Sequence, residues 1–224
     1  MKNKIDIRKL TVSAMVCAIA FLAMFVFRFK VSFLTFDFKD AILSINALLY
    51  GPIMGVVSAA LVAFIEFITV SDTGVYGLIM NFLSSASFTF ACGIIYKYKR
   101  NFSGAIISAI TSVFSVTAVM LMANIFITPY YMGVERSMVV SLLPKLLLPF
   151  NLSKAIMNAA VLLVIYKPFT SILRKTRLLP QTDSGKYRMG FKSVLLLVVS
   201  VLLIILTALF VILYLNGEFN IIRR

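Results

Sequence analysis

The chain has 224 residues, of which 61% are hydrophobic and 13% charged, and its mean hydropathy is +1.02. A soluble domain is about 45–50% apolar and about 25% charged, so this composition excludes a water-soluble globular fold, a disordered chain and a disulfide scaffold. The absence of histidine excludes histidine metal sites and Ser-His or Cys-His catalysis. Cys17 and Cys92 lie in apolar runs, which predicts buried side chains and neither a disulfide nor a metal pair.

The first element is an apolar run at residues 10–27, preceded by four basic residues. A membrane helix needs about 20 apolar residues, and no small-residue cleavage site follows the run, so we predict a retained helix and not a signal peptide. The next segment, residues 28–39, alternates aromatic and polar side chains. This pattern predicts an extended or hairpin-like loop on the outer side, placed to act as a lid.

The remaining elements are also predicted to be helices. Gly51-Pro52 predicts a tight turn between two helices, because proline suits the first helical turn. Pro144 and Pro149 divide a long apolar stretch into a short outer segment and a helix beginning at Pro149 or Phe150. We expect helices at residues 40–50, 53–68, 75–96, 102–127 (ending at Thr128-Pro129), 149–166 and 193–215.

These elements predict an all-α integral membrane protein with six spans in its body and a seventh at its end. The predicted division has four parts: a membrane-embedded core (1–170), a basic cytoplasmic linker (171–192), an extra transmembrane helix (193–215) and a tail (216–224).

The formal charge of +14 is explained by membrane topology. With the N-terminus inside, the inner segments hold four basic residues before Leu10, three in 97–101 and seven in 167–192, whereas the outer segments hold six. Cytoplasmic loops are enriched in Lys and Arg. The distribution therefore predicts a multi-pass protein of the cell membrane, with a cytoplasmic N-terminus and an extracellular C-terminus. Its surroundings are the lipid bilayer, and no nucleic-acid partner is expected.

Two polar side chains near the start of the helix at 149–166 are the first candidates for ligand binding. Lys154 follows Asn151 by three residues, so both side chains share one helix face. A charge at membrane depth costs roughly 2.5–3.5 kcal/mol and marks a functional site by default. The alternative is that Lys154 snorkels to the outer interface. The nearby Asn158 favours the functional interpretation.

Further polar residues are predicted at the outer ends of other helices. Asn124 either cross-links helices or faces a ligand, and nothing in the sequence favours one role. For Glu66 a solvated helix end is the favoured interpretation, and Asn81 is similar. Together these residues fit a shallow pocket open to the outside, to which the aromatic loop at residues 33–38 would add stacking surfaces.

Small residues mark two helix faces. Ala14 and Ala18 form a small-xxx-small pair on the first helix, and Gly51 and Gly55 form another. Such faces allow close helix approach. For either motif alone, packing within the chain is favoured over contact with a partner subunit.

Three sequence segments resemble a known family. They are Asp37-Phe38-Lys39-Asp40, Leu49-Tyr50-Gly51-Pro52-Ile53-Met54-Gly55 and Leu148-Pro149-Phe150-Asn151-Leu152-Ser153-Lys154 followed by Tyr166-Lys167-Pro168. Over residues 5–175 the chain resembles the substrate-binding S components of energy-coupling factor (ECF) vitamin transporters, in the riboflavin-specific branch.

The resemblance implies a six-helix S component that captures riboflavin from outside. It would dock on a transmembrane coupling (T) subunit that carries two cytoplasmic ATPases, and it would need no cofactor. Ala14 and Ala18 would contact the T subunit, while Asn151 and Lys154, with Asn124, would contact the flavin. Substrate-binding candidates are Asn151, Lys154, Asn124, Asp37, Phe38, Glu66 and Asn81. The extra helix at 193–215 departs from the family.

Other functions remain open at this point. One alternative keeps the family and changes the ligand to another vitamin or small nutrient. A stand-alone secondary transporter is less favoured, because no internal repeat or pair of broken helices is evident. An intramembrane enzyme or lipid-handling protein is least favoured, since few carboxylates lie in the apolar runs. The chain also has no Gly-rich phosphate loop ending in Lys-Ser/Thr, so any ATP hydrolysis is expected on separate subunits.

Overall fold

The computed structural model describes residues 7–175 and 191–215. The described part of the chain contains eight α-helices and one two-stranded hairpin. In chain order these are α1 (Ile7–Val26), β1 (Phe29–Val31), β2 (Leu34–Phe36), α2 (Lys39–Tyr50), α3 (Pro52–Thr69), α4 (Gly74–Tyr98), α5 (Phe102–Met132), α6 (Arg136–Leu142), α7 (Leu148–Lys175) and α8 (Phe191–Tyr214). A π-helical segment, Leu143–Leu147, joins α6 to α7.

The predicted architecture of a six-helix core with an additional C-terminal helix is confirmed. Within the described residues, six helical segments are long and apolar enough to cross a membrane, with α6 and α7 together forming one of them. Helix α2 is the exception: its 12 residues span about 18 Å, whereas the hydrocarbon core is about 30 Å thick. The expectation that α2 counts as a full span is therefore wrong.

Helix α2 is buried within the bundle and forms a hairpin with α3. Nine of its twelve residues are buried. Gly51 makes the turn with a φ of 97°, and Pro52 begins α3, as predicted. At Gly55 an added Cβ would lie 2.7 Å from the Cβ of Ala47, so the glycine allows the two helices to touch. The Gly51/Gly55 motif therefore serves packing within the chain.

Prolines do not end the helices where the sequence predicted. Helix α5 continues through Pro129 to Met132 and ends at Gly133, whose φ of 64° gives a left-handed cap. The predicted end at Thr128-Pro129 is wrong, because a transmembrane helix tolerates a proline in its interior. Helix α7 begins at Leu148, within two residues of the prediction, and runs to Lys175.

The segment at residues 28–39 forms the predicted hairpin. Phe29 pairs with Phe36 in antiparallel register, and their rings stack with centroids 4.6 Å apart. Phe36 also packs edge-on against Phe150 of α7. The hairpin is thus fixed to the bundle by aromatic contacts and lies at the end where α1 finishes.

The extra helix α8 packs along α7 and reaches the hairpin. Val211 and Leu215, near its end, are buried in a cluster with Phe29, Val31 and Phe36. The start of α1 and the end of α8 therefore lie at opposite ends of the bundle. The predicted division at residues 170/171 falls inside α7. Most of the predicted linker (176–190) and the predicted tail (216–224) lie outside the described residues, so the domain division stays a prediction.

Candidate functional site

A large cavity opens at the end of the bundle that carries the hairpin. The space between its walls is about 720 Å³ when the open mouth is included. Its walls come from the hairpin, the first half of α4, the last third of α5 and the start of α7. The cavity is therefore built where elements distant in sequence meet.

Aromatic side chains form much of the cavity wall. Phe33 at the hairpin turn, Tyr76 of α4, Tyr131 of α5 and Phe150 of α7 all line it. The rings of Tyr76 and Tyr131 lie 6.5 Å apart across two helices. Flat faces on several sides suit a planar ligand, because aromatic rings prefer offset-stacked or edge-to-face contacts.

Four of the sequence-predicted binding residues converge on this cavity. Asn81 comes from α4, Asn124 from α5, and Asn151 and Lys154 from α7. Asn124 is held within α5, donating to the Met120 carbonyl at 2.7 Å and accepting from Thr128 at 2.8 Å. Asn151 donates to the Leu147 carbonyl at 2.7 Å. Asn124 and Asn151 are thus pre-oriented by their own helices.

Lys154 is anchored to the hairpin and to the residue that follows it. Its Nζ donates to the Thr35 carbonyl at 3.1 Å and to Asp37 Oδ2 at 2.9 Å. The side chain is only 9% exposed, so the alternative that Lys154 snorkels to the interface is wrong. An ammonium has three donors. Two are taken within the described residues, which leaves one for a ligand in the cavity.

Behind Lys154 lies a chain of buried charges. Asp37 Oδ2 is also 3.8 Å from Lys39 Nζ, and Lys39 in turn pairs with Glu66 at the end of α3. Asp37 and Lys39 are fully buried and Glu66 is 1% exposed. The order Glu66–Lys39–Asp37–Lys154 therefore alternates in charge, which is how buried ions offset their desolvation. We call these four residues the charge chain.

The first turn of α2 is fixed by further polar contacts. Asn158 of α7 accepts from the Ala41 backbone at 2.9 Å and donates to the Asp37 carbonyl at 2.9 Å. Asp40 accepts hydrogen bonds from Ser84 and Ser85 of α4, and Ser84 lines the cavity. An acidic residue in the first helical turn also complements the helix dipole.

Arg28 is a cavity residue that the sequence did not reveal. Its Nη1 donates to the Val70 carbonyl at 3.0 Å, and its side chain lines the cavity mouth. The sequence placed it only among the basic residues of the predicted outer segments. Lys30 nearby pairs with Asp72 at 2.7 Å, and this hydrogen bond and the lysine charge lower the pKa of the Asp72 carboxyl. Both contacts tie the hairpin to the end of α3.

Three predicted binding residues lie outside the cavity lining. Asp37 and Glu66 belong to the charge chain, and the interpretation of Glu66 as a solvated helix end is wrong because Lys39 holds it in the interior. Phe38 packs against Phe27 and Phe36 in edge-on contacts. These residues do not line the cavity, but Asp37 contacts a residue of its wall and Phe38 contacts the hairpin that forms part of it.

The small-residue face of α1 points outward. Ala14 and Ala18 are exposed, whereas Ser13, Cys17 and Ala20 are buried against the bundle. The favoured interpretation, in which this motif packs within the chain, is therefore wrong for Ala14 and Ala18. Their face is left open to the bilayer or to another subunit.

A multi-pass helical bundle with a cavity lined by aromatic and polar side chains is typical of membrane proteins that bind small molecules. The family model of the ECF transporter substrate-specific component matches residues 8–166. The chain therefore belongs to this family, and it is an S component of an ECF transporter.

Two relatives carry more specific names. The chain is 27% identical over 179 residues to the riboflavin transporter RibU of Staphylococcus aureus, covering 75% of this chain and 93% of that protein. It is 27% identical over 172 residues to the riboflavin transporter FmnP of Bacillus subtilis, covering 71% and 90%. A solved structure of the S component of a bacterial ECF transporter is 28% identical, with a TM-score of 0.63, and covers 74% of this chain and 97% of its own.

Proposed function

We propose that this chain captures riboflavin with high affinity from the extracellular side. The observation that carries the proposal is the cavity, in which aromatic walls surround polar side chains from three helices. Riboflavin combines a flat tricyclic ring with a polyhydroxylated chain, and such a ligand needs both kinds of contact. Two relatives with 27% identity are named riboflavin transporters, which supports the same ligand.

The cavity offers distinct partners for the two parts of the ligand. Tyr76, Tyr131 and Phe150 offer ring faces for the tricyclic part. The remaining N–H of Lys154 is placed to donate to a ring carbonyl or a ribityl hydroxyl. Asn151 and Asn124 carry amides, which both donate and accept. No cofactor enters this proposal; riboflavin is the transported ligand.

We further propose that uptake is driven by ATP hydrolysis on partner subunits. The sequence has no Gly-rich phosphate loop ending in Lys-Ser/Thr, so the chain would act with a T subunit and two cytoplasmic ATPases. A cytoplasmic N-terminus and an extracellular C-terminus place the hairpin and the cavity mouth outside, because the hairpin follows the first crossing. This orientation is supported by the distribution of basic residues.

Identification of the bound ligand tests the proposal. Protein purified from riboflavin-replete cells is expected to release riboflavin on denaturation, identified by mass spectrometry, and the emptied protein is expected to quench added riboflavin fluorescence. A different vitamin in the mass spectrum, together with no quenching, would overturn the ligand assignment. The family assignment would still hold.

Added bulk on the outer face of α1 is expected to separate transport from binding. Ala14→Leu or Ala18→Leu should leave riboflavin affinity unchanged, because both side chains point away from the cavity. Either change should reduce uptake by roughly tenfold or more, since leucine blocks the close helix approach that small residues permit. Uptake of labelled riboflavin and co-purification of the T subunit measure the effect.

An exposed alanine on a distant helix provides the control. Ala118 is exposed on α5, which packs on α4 and α7, so Ala118→Leu should leave both binding and uptake near the wild-type level. Helix α8 also packs on α7, and the α1 face stays exposed in its presence. Equal uptake by the α1 and α5 variants would show that α1 is not the docking face.

A further inference from the structure

Lys39 and Glu66 lie outside the cavity, yet they are linked to the residue that faces it. The described chain places Lys39 Nζ against the Glu66 carboxylate and 3.8 Å from Asp37 Oδ2. That same oxygen accepts from Lys154 at 2.9 Å. One carboxylate oxygen of Asp37 thus lies near two ammonium groups. The Lys154 nitrogen is about 1 Å closer to it than the Lys39 nitrogen.

Glu66 determines how strongly Lys39 competes with Lys154 for that oxygen. The Glu66 carboxylate pairs with Lys39 and leaves Asp37 mainly to Lys154. Without the Glu66 charge, Lys39 would lose the shorter of its two ion pairs and keep the longer one, at 3.8 Å to Asp37 Oδ2. Because a buried charge with only a distant partner is costly, Lys39 would move toward Asp37 and draw its oxygen away from Lys154.

The position of the Lys154 ammonium matters because a hydrogen bond to the ligand depends on the distance and direction of its donor. Thr35 and Asp37 fix two of its N–H groups, and this sets the direction of the third on a side chain that lines the cavity. A binding group is effective when its geometry is locked by the shell of residues behind it. A looser contact with Asp37 would let the ammonium rotate. Ligand binding would then have to order this group, and the entropy lost in doing so would lower the affinity.

We propose that Lys39 and Glu66 are positioning residues for ligand binding, acting through Asp37 on Lys154. This inference rests on the proposed function, because the binding measurements that test it use riboflavin as the ligand. Glu66 therefore contributes to ligand affinity without contacting the ligand. It holds Lys39 away from Asp37, and Asp37 in turn holds Lys154 in place. The four members come from α3, the β2–α2 junction, α2 and α7, so the charge chain also joins three helices around one binding group.

A double-mutant cycle tests the proposal. Glu66→Gln keeps the shape of the side chain and removes its charge, and it is expected to weaken riboflavin binding by roughly tenfold. In a Lys154→Met background the same change should have almost no further effect, because the residue on which it acts is gone. Riboflavin titration by fluorescence quenching measures all four affinities, and thermal unfolding checks that each variant is folded.

A second cycle with Asn124 is the matched control. Asn124 lines the same cavity but is held by Met120 and Thr128 within α5, so Glu66→Gln and Asn124→Ala should weaken binding additively. A purely structural role for Glu66 would give equal losses in both backgrounds and would overturn the proposal. Wild-type affinity in the single variant would also overturn it. Failure of the wild-type protein to bind riboflavin would instead refute the proposed function.

Discussion

Riboflavin binding is expected to weaken by roughly 10- to 150-fold when Lys154 is replaced with methionine, since a hydrogen bond to a charged group contributes about 1.5–3 kcal/mol. Methionine keeps much of the length and apolar volume of the lysine stem, so the cavity wall is retained. What is lost is the ammonium that Thr35 and Asp37 hold in place. Riboflavin titration monitored by fluorescence quenching measures the affinity.

A second lysine in the same part of the chain provides the control. Lys145 lies in the π-helical segment before α7 and is exposed, so Lys145→Met removes one positive charge without touching the cavity. Its affinity is expected to match that of the wild type. Equal losses in the two variants would mean that overall charge, and not a contact with Lys154, governs ligand binding.

The helix order and the main polar residues of the cavity were predictable from the sequence. Long apolar runs locate membrane helices because the bilayer requires about 20 apolar residues. Against that background Asn124, Asn151 and Lys154 stand out, and the structure brings all three to one cavity. Periodicity also placed Asn151 and Lys154 on one face, since residues three apart are neighbours on a helix.

The charge chain was not predictable in the same way. Lys39 and Glu66 are 27 residues apart, and Lys154 and Asp37 are 117 apart, so no local pattern links the partners. Glu66 alone resembled an ordinary solvated helix end. One signal was present: three charged residues within Asp37–Asp40 precede an apolar helix in a chain that is only 13% charged. Charges in such a place are costly unless they are paired.

Two local features also differ from what the sequence predicted. Pro129 predicted a helix end, but α5 continues to its left-handed cap at Gly133. Arg28 looked like an outer loop residue, but the hairpin places it at the cavity mouth. For Arg28 the outcome depends on residues from other parts of the chain.

Loss of the Asp37 charge is expected to destabilise the fold by roughly 3–5 kcal/mol, the usual effect of breaking a buried ion pair. Asp37→Asn keeps the side chain's shape and leaves Lys39 and Lys154 facing a neutral amide, with Glu66 as the remaining carboxylate of the charge chain. The side chain of Asp37 is fully buried, so water cannot take over its role. Reversible unfolding in mixed detergent micelles, followed by circular dichroism, measures the change in the free energy of unfolding.

Asp72→Asn is the matched control, because it removes the same charge from an aspartate that also pairs with a lysine. The Asp72 side chain is 68% exposed and that of Lys30 is 51% exposed, and such surface pairs contribute about 0–1 kcal/mol. Asp72→Asn should therefore unfold like the wild type, whereas Asp37→Asn unfolds much more easily. Similar stabilities for the two variants would show that the interior of this bundle is wet enough to screen Asp37, and the tight coupling between the lysines and Glu66 would then have no physical basis.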